Sequence, residues 1–144
     1  MILERSRTLA AAPEAVWAVV RDPRALPQWW PRTERVESVR PDAWTTVMRS
    51  ERGRIVRADW RLDGQDKLVR RTWSQKVDGT PFARVLRGRR VEARLAADGA
   101  RTRVVLQMEL DPRRRVGGLL LRGGARRELD AALAGLARAV EDAG

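Results

Sequence analysis

Apolar and polar residues alternate through most of this chain, and near its end the alternation gives way to a three- and four-residue spacing. Residues 2–11 predict a short strand. Ala12-Pro13-Glu14 then opens a helix. A proline at the first helical position loses no intrahelical hydrogen bond, and an acid there meets the positive end of the helix dipole. Ala15, Val16, Trp17, Val19 and Val20 form its apolar face. Asp22-Pro23 stops it, because proline pushes the residue before it out of helical geometry. A second short helix is predicted over 24–28, ended by Trp29-Trp30-Pro31.

Segments 33–40, 43–51, 54–63, 67–77, 84–97 and 101–111 then show partial period-two alternation, the mark of a half-buried strand. Turn residues separate them at Pro41-Asp42, Arg52-Gly53, Asp63-Gly64, Asp78-Gly79-Thr80-Pro81 and Asp98-Gly99. Strands joined this tightly are antiparallel neighbours. From Val116 to Ala143 the spacing is helical, with Leu121, Ala125, Leu129, Ala132, Leu133, Leu136 and Val140 on one stripe. Gly117-Gly118 and Gly123-Gly124 weaken its first half, at ~1 kcal/mol per interior glycine. They predict a late start, a kink or a close backbone approach. The expected fold class is α+β. It has a seven-stranded curved antiparallel sheet, two short helices and a long C-terminal helix over the concave face, in one domain spanning 1–144. The sheet has one apolar face to cover, and only the last helix is long enough to cover it. The space between a twisted sheet and a straight helix is either filled by large side chains or left as a cavity.

Hairpin arithmetic assigns faces. If Gly64-Gln65 is a two-residue turn, Val56 lies opposite Trp73, Ala58 opposite Arg71 and Trp60 opposite Val69, all pointing inward. Arg57, Asp59 and Arg61 take the other face, and a one-residue slip would reverse every assignment. An Asp98-Gly99 turn sets Val91, Ala93 and Leu95 opposite Leu106, Val104 and Thr102, with Met108 extending that side. In 43–51, Trp44, Thr46 and Met48 are the better inward set, with Thr45 and Val47 competing. Arg87 and Arg89 also fall inward, where Gly88 disturbs the register.

Composition narrows the chemistry. The chain has 144 residues, with 30 basic against 19 acidic and a formal charge of +11. Lys67 and Lys76 are its only lysines. The arginines are spread from Arg5 to Arg138 and interleaved with acids, densest at 84–94 and Arg113-Arg114-Arg115. Spread of this kind predicts a solvated surface more than a nucleic-acid footprint, so nucleic acid is not the expected partner. There is no His, no Cys and no Tyr. That excludes Ser-His-Asp and Cys-His triads, Cys/His zinc sites and disulfides. Asp59, Glu92 and Glu109 face outward, so no paired carboxylates converge on the inward face. No metal and no cofactor are expected. Mean hydropathy is −0.49. No apolar run reaches the roughly 18–20 residues of a membrane span, and the first residues lack a signal-peptide plan. A cytoplasmic location is expected.

Ala12-Pro13-Glu14-Ala15-Val16-Trp17, Asp22-Pro23 and Leu26-Pro27-Gln28-Trp29-Trp30-Pro31 resemble the opening of START-like (SRPBCC) proteins, most of all the polyketide cyclase/dehydrase branch. The 99–104 hairpin and the Leu129–Leu136 helix fit the same pattern, so the resemblance covers essentially the whole chain. It implies a helix-grip fold with an internal cavity. Members carry lipids and sterols, sense hormones, bind quinones or act as aromatase/cyclases, so fold alone does not choose among these roles. Arg70-Arg71-Thr72-Trp73-Ser74-Gln75 and Gly79-Thr80-Pro81-Phe82 resemble a subgroup with no assigned activity.

Six Trp with one Phe form the remaining unusual signal. Trp17 reads as core; Trp30, Trp44, Trp60 and Trp73 read as either an aromatic-lined cavity or solid packing, with the cavity favoured for Trp30, Trp60 and Trp73. Arg71, between Val69 and Trp73, needs an acid, a carbonyl, an aromatic face or a ligand anion if it is buried; a bulge would turn it to solvent. The expected ligand-binding set is Trp30, Trp44, Met48, Trp60, Arg71, Trp73, Met108, Leu121, Arg122, Ala125 and Leu129. The expected function is non-catalytic binding of a small hydrophobic molecule, anionic or aromatic in part, by a monomer or weak homodimer. The alternatives are a polyketide aromatase/cyclase or dehydratase using the same cavity, and a basic interaction module for nucleic acid or an anionic surface.

Overall fold

Period-two alternation builds β1 (Ile2–Leu9), β2 (Thr33–Glu37), β3 (Ala43–Arg49), β4 (Ile55–Asp66), β5 (Arg70–Lys76), β6 (Leu86–Asp98) and β7 (Arg101–Pro112). The computed structural model describes residues 1–114 and 117–141. The strands form one curved antiparallel sheet in the order β1-β7-β6-β5-β4-β3-β2. Between β1 and β2 run α1 (Pro13–Val20), a 3-10 turn at Pro23–Ala25 and α2 (Leu26–Trp29). Asp22 caps that turn, its carboxylate accepting from the Arg24 backbone N–H at 3.0 Å. A second 3-10 turn at Pro81–Arg84 precedes β6, where the sequence pattern had suggested only a turn. The C-terminal helix α3 (Gly118–Glu141) lies over the concave face. Val116, Asp142 and Ala143, at the ends of the predicted helix, and Arg115 lie outside the described residues.

Leu129, Ala132, Leu133, Leu136 and Val140 of α3 are buried against Leu3, Leu9, Val104 and Leu106 of the sheet. Each fully buried leucine contributes about 1.5–3 kcal/mol of burial energy. Of the three outcomes the glycine pairs predict, α3 shows a start at Gly118, and the close backbone approach falls at Gly135 instead. A Cβ there would sit 2.3 Å from the Trp29 carbonyl oxygen, so α3 rests directly on the backbone of α2. At Gly118 a Cβ would meet nothing, and at Gly123 it would meet only the Arg127 side chain, at 3.4 Å.

The inward faces follow the expected parity, but two registers differ. The β4–β5 turn is not Gly64-Gln65. Gly64 lies inside β4 at a bulge, and the turn falls at Lys67–Val69, with Leu68 in the left-handed region at φ 68°. A bulge takes up one extra residue without ending the strand. Trp60 therefore lies opposite Gln75, Trp73 opposite Leu62, and Arg71 opposite Gln65. Val69, expected inward, is in the turn and 55% exposed. The last hairpin turns at Gly99-Ala100, which places Val91 opposite Met108, Ala93 opposite Leu106 and Leu95 opposite Val104. Displacements that leave parity unchanged keep side chains on their face. In β3, Trp44 and Thr46 are buried on the concave side, and Val47 is fully buried on the other. Val47 lies opposite Arg35 and Arg57, whose aliphatic stems can shield it.

Candidate ligand site

Cross-strand pairing puts Trp44, Trp60 and Gln75 in one row over β3, β4 and β5. Trp73 lies beside that row, and α2 delivers Trp29 and Trp30 from above. Trp30 meets Trp73 edge-on with ring centroids 6.4 Å apart, and Trp29 meets Trp30 at 5.4 Å. The Trp60 indole N–H donates to Thr46 Oγ1 at 2.9 Å. Trp30, Trp44, Trp60 and Trp73 enclose a void of only about 10 Å³. Edge-to-face packing of Trp30 on Trp73 nearly closes the space between these four, while Trp44 and Trp60 also border a larger depression on their other side.

Open space begins next to them. A groove of about 580 Å³ runs between the first half of α3 and the adjoining ends of the strands. Met48, Val56, Leu86, Met108 and Leu110 form its sheet wall, Phe82 enters from the 3-10 turn, and Leu121 and Ala125 hang from α3. Arg89 and Glu128 border both this groove and the tryptophan cluster, so they stand between the two. Glu128 accepts from the Trp30 indole N–H at 2.8 Å and from the Arg89 guanidinium. The Arg89 guanidinium carbon lies 5.7 Å from the Trp60 ring centroid, a cation–π contact. Arg89 is nearly buried, with 12% of its side chain exposed, and its Nε has no acceptor among the described residues. Arg32, Arg49, Glu51 and Arg127 also line the groove. A mostly apolar groove with cations at its edge suits a greasy molecule with one polar oxygen-bearing end.

Of the residues expected from the sequence, Met48, Met108, Leu121 and Ala125 meet in this groove. Leu129 is fully buried in the core, one residue past Glu128. Arg122 is half-buried on α3 and does not line the groove. Arg71 is buried, not turned to solvent: its Nη1 donates to Gln65 Oε1 at 2.6 Å and its guanidinium lies 5.4 Å from the Trp44 ring. Burial depresses its pKa, and nearby Arg21 adds to the effect while Asp22 opposes it. Arg71 borders a separate polar depression of about 460 Å³ beside Asp22 and Arg40. A further depression of about 900 Å³ lies where β5 and β6 part beyond Ser74–Arg90. Charged residues such as Asp59, Arg61, Lys76 and Arg90 line it together with Trp44, Trp60, Gln75 and Val77, and Arg89 borders it as well as the groove.

Sequence reasoning missed Glu128, Phe82, Leu110 and Val56 as a set. The signal for Glu128 was its place three residues after Ala125 and seven after Leu121, a lone acid on the apolar stripe of α3. Among the described residues no cluster of acidic side chains could hold a metal ion, and no helix is long and apolar enough to cross a membrane.

Helix-grip proteins are the class this sheet, covering helix and interior groove define. The chain belongs to the family "Polyketide cyclase / dehydrase and lipid transport", whose model matches residues 2–141. No curated protein matches it. Solved structures share the fold. A START superfamily protein from Mycobacterium smegmatis is 15% identical, with 99% of each chain covered and a TM-score of 0.82. A Thermus thermophilus protein is 22% identical over 100% of this chain and 99% of its own, with a TM-score of 0.76. The di-domain aromatase/cyclase BexL of the BE-7585A biosynthetic pathway is 18% identical, with a TM-score of 0.80 over 98% of this chain and 46% of its own.

Proposed function

We propose that this protein holds a small, mostly apolar molecule in the groove under the first half of α3, with the molecule's polar end at Arg89 and Glu128. One observation carries this reading: a mostly apolar groove of about 580 Å³ reaches a nearly buried arginine whose Nε lacks an acceptor among the described residues. The family's description, which includes lipid transport, supports it. On this reading the protein is a monomer or weak homodimer, since the outward residues Arg57, Arg61, Arg103 and Glu109 are exposed and charged, and its proposed location is the cytoplasm.

A second reading is cyclisation or dehydration of a polyketide-like substrate in the same groove. The pairing of a carboxylate with a guanidinium at its end favours it, as does likeness to an aromatase/cyclase. Conversion of a poly-β-ketone mimic by the wild type and not by Glu128→Gln would select it over simple binding.

The groove can be tested with 1-anilinonaphthalene-8-sulfonate, an apolar ring system bearing one anion. Gly124 lines the groove, and a Cβ there would meet only the Arg127 side chain, at 3.8 Å. A side chain can therefore start at Gly124 without meeting backbone, and Gly124→Trp is chosen to occupy the groove. Its probe affinity is expected to fall at least tenfold while the fold is kept. Unchanged affinity would overturn the assignment of the site.

A further inference from the structure

Large exposed apolar side chains are not scattered over this molecule. Leu119 is 87% exposed, Leu120 82%, Val85 59% and Ile55 44%, and all four lie at the end where the groove opens, while Ile2 is exposed on edge strand β1 opposite Glu109. Ile55 follows the β3–β4 hairpin, whose Ser50 and Glu51 line the groove mouth. Val85 is tied to the end of β7, its carbonyl accepting from the Arg113 N–H at 3.0 Å. Leu119 and Leu120 form the first turn of α3, and Leu120 borders the groove with Phe82. Val69, by contrast, sits in the β4–β5 turn at the opposite end of the sheet.

Exposed arginines surround these four residues: Arg52, Arg54, Arg84, Arg113, Arg114 and Arg127. None of the six forms an ion pair among the described residues. Of the neighbouring acids, Glu34 and Glu51 are engaged by Arg49 and Arg32, which leaves Asp111 as the exposed acid beside six arginines. Leucines at a rim of unneutralised arginines match a surface that is anionic outside and apolar beneath.

We propose that this end of the molecule docks on an anionic lipid bilayer, with Leu119 and Leu120 entering the acyl boundary and the arginines meeting lipid phosphates. That division of labour is how interfacial amphipathic surfaces bind. A second copy of the chain fits less well, since a two-fold contact through this face would bring the arginines against one another. Nucleic acid fits the charge but not the leucines, which offer bases no stacking face. Docking of this end does not require the groove to be occupied.

The test is co-sedimentation of the full chain with phosphatidylcholine vesicles, with and without phosphatidylglycerol. Wild type is expected to sediment with the anionic vesicles only, and to be released in roughly 0.5 M salt. Leu119→Ser/Leu120→Ser is expected to bind them at least tenfold more weakly. Arg84→Ser/Arg114→Ser should lose about fivefold per arginine. Val69→Ser should bind as wild type does. Vesicle binding unchanged by the double leucine substitution would overturn the proposal. So would retention on RNA without vesicle binding, or a dimer in light scattering that the leucine substitutions disperse.

Discussion

Glu128→Ala is expected to lower stability by about 2–3 kcal/mol, which for a chain of this size is a fall in melting temperature of roughly 8 °C. The alanine would strand two donors at once, the Trp30 indole N–H and the Arg89 guanidinium. Removing one partner of a buried ion pair costs about 3–5 kcal/mol, and the partial exposure of this pair, 12% and 27%, reduces that figure. Glu128→Gln keeps an acceptor for Trp30 and should lose about half as much. Arg89→Met combined with Glu128→Met should recover part of the loss, because neither substituted chain then carries an unpaired charge. Thermal unfolding of the three variants checks the order. A Glu128→Ala protein as stable as wild type would show that the pair holds nothing in place.

Gly135→Ala is the second large effect. Elsewhere in a helix interior this change gains about 1 kcal/mol through helix propensity. At Gly135 the new Cβ would lie 2.3 Å from the Trp29 carbonyl oxygen and 2.9 Å from the Trp29 Cα, so α3 must lift off α2. Overpacking against backbone costs about 1–3 kcal/mol or more, and the net result should be a loss of at least ~1 kcal/mol. Because α2 carries Trp30 onto Glu128, probe affinity in the groove should fall as well. Gly123→Ala is the control: its Cβ meets only a flexible arginine, and it should raise stability. Denaturant unfolding of the two variants should move in opposite directions. Equal shifts of the same sign would mean that the close α2–α3 contact does not fix the helix.

How much of this was legible in the sequence depended on the kind of information. Element type and face follow from periodicity, which is local, so the meander from β2 to β7 and the inward positions of Trp60 and Trp73 could be read directly, whereas the pairing of β1 with β7 is non-local and could not. Register depends on which residues turn the chain. Asp63-Gly64 carries a turn signal yet forms a bulge, while Leu68 takes the left-handed turn position that glycine or asparagine would advertise. The family opening at 12–31 was legible for the same local reason, and it agrees with the match over residues 2–141.

The site was less legible, because free volume is a difference between opposing surfaces. Trp30 and Trp73 come from α2 and β5, and nothing in either segment says that their rings meet edge to face and close the space between them. The role of Glu128 emerges only where α3 lies across Arg89 and Trp30, which no local pattern around Arg127 and Leu129 encodes. Arg71 reads from the sequence as either buried or turned to solvent by a bulge, and its satisfaction by Gln65 rests on the shifted β4–β5 register.

The central claim is spatial: the ligand lies under the first half of α3, beside the tryptophans and not among them. A crystal structure of the protein with 1-anilinonaphthalene-8-sulfonate bound tests it most directly. The rings are expected between Met48, Met108 and Leu121, with the sulfonate within hydrogen-bonding distance of Arg89. Density for the probe inserted between Trp30, Trp60 and Trp73, or in the charged depression where β5 and β6 part, would contradict the account.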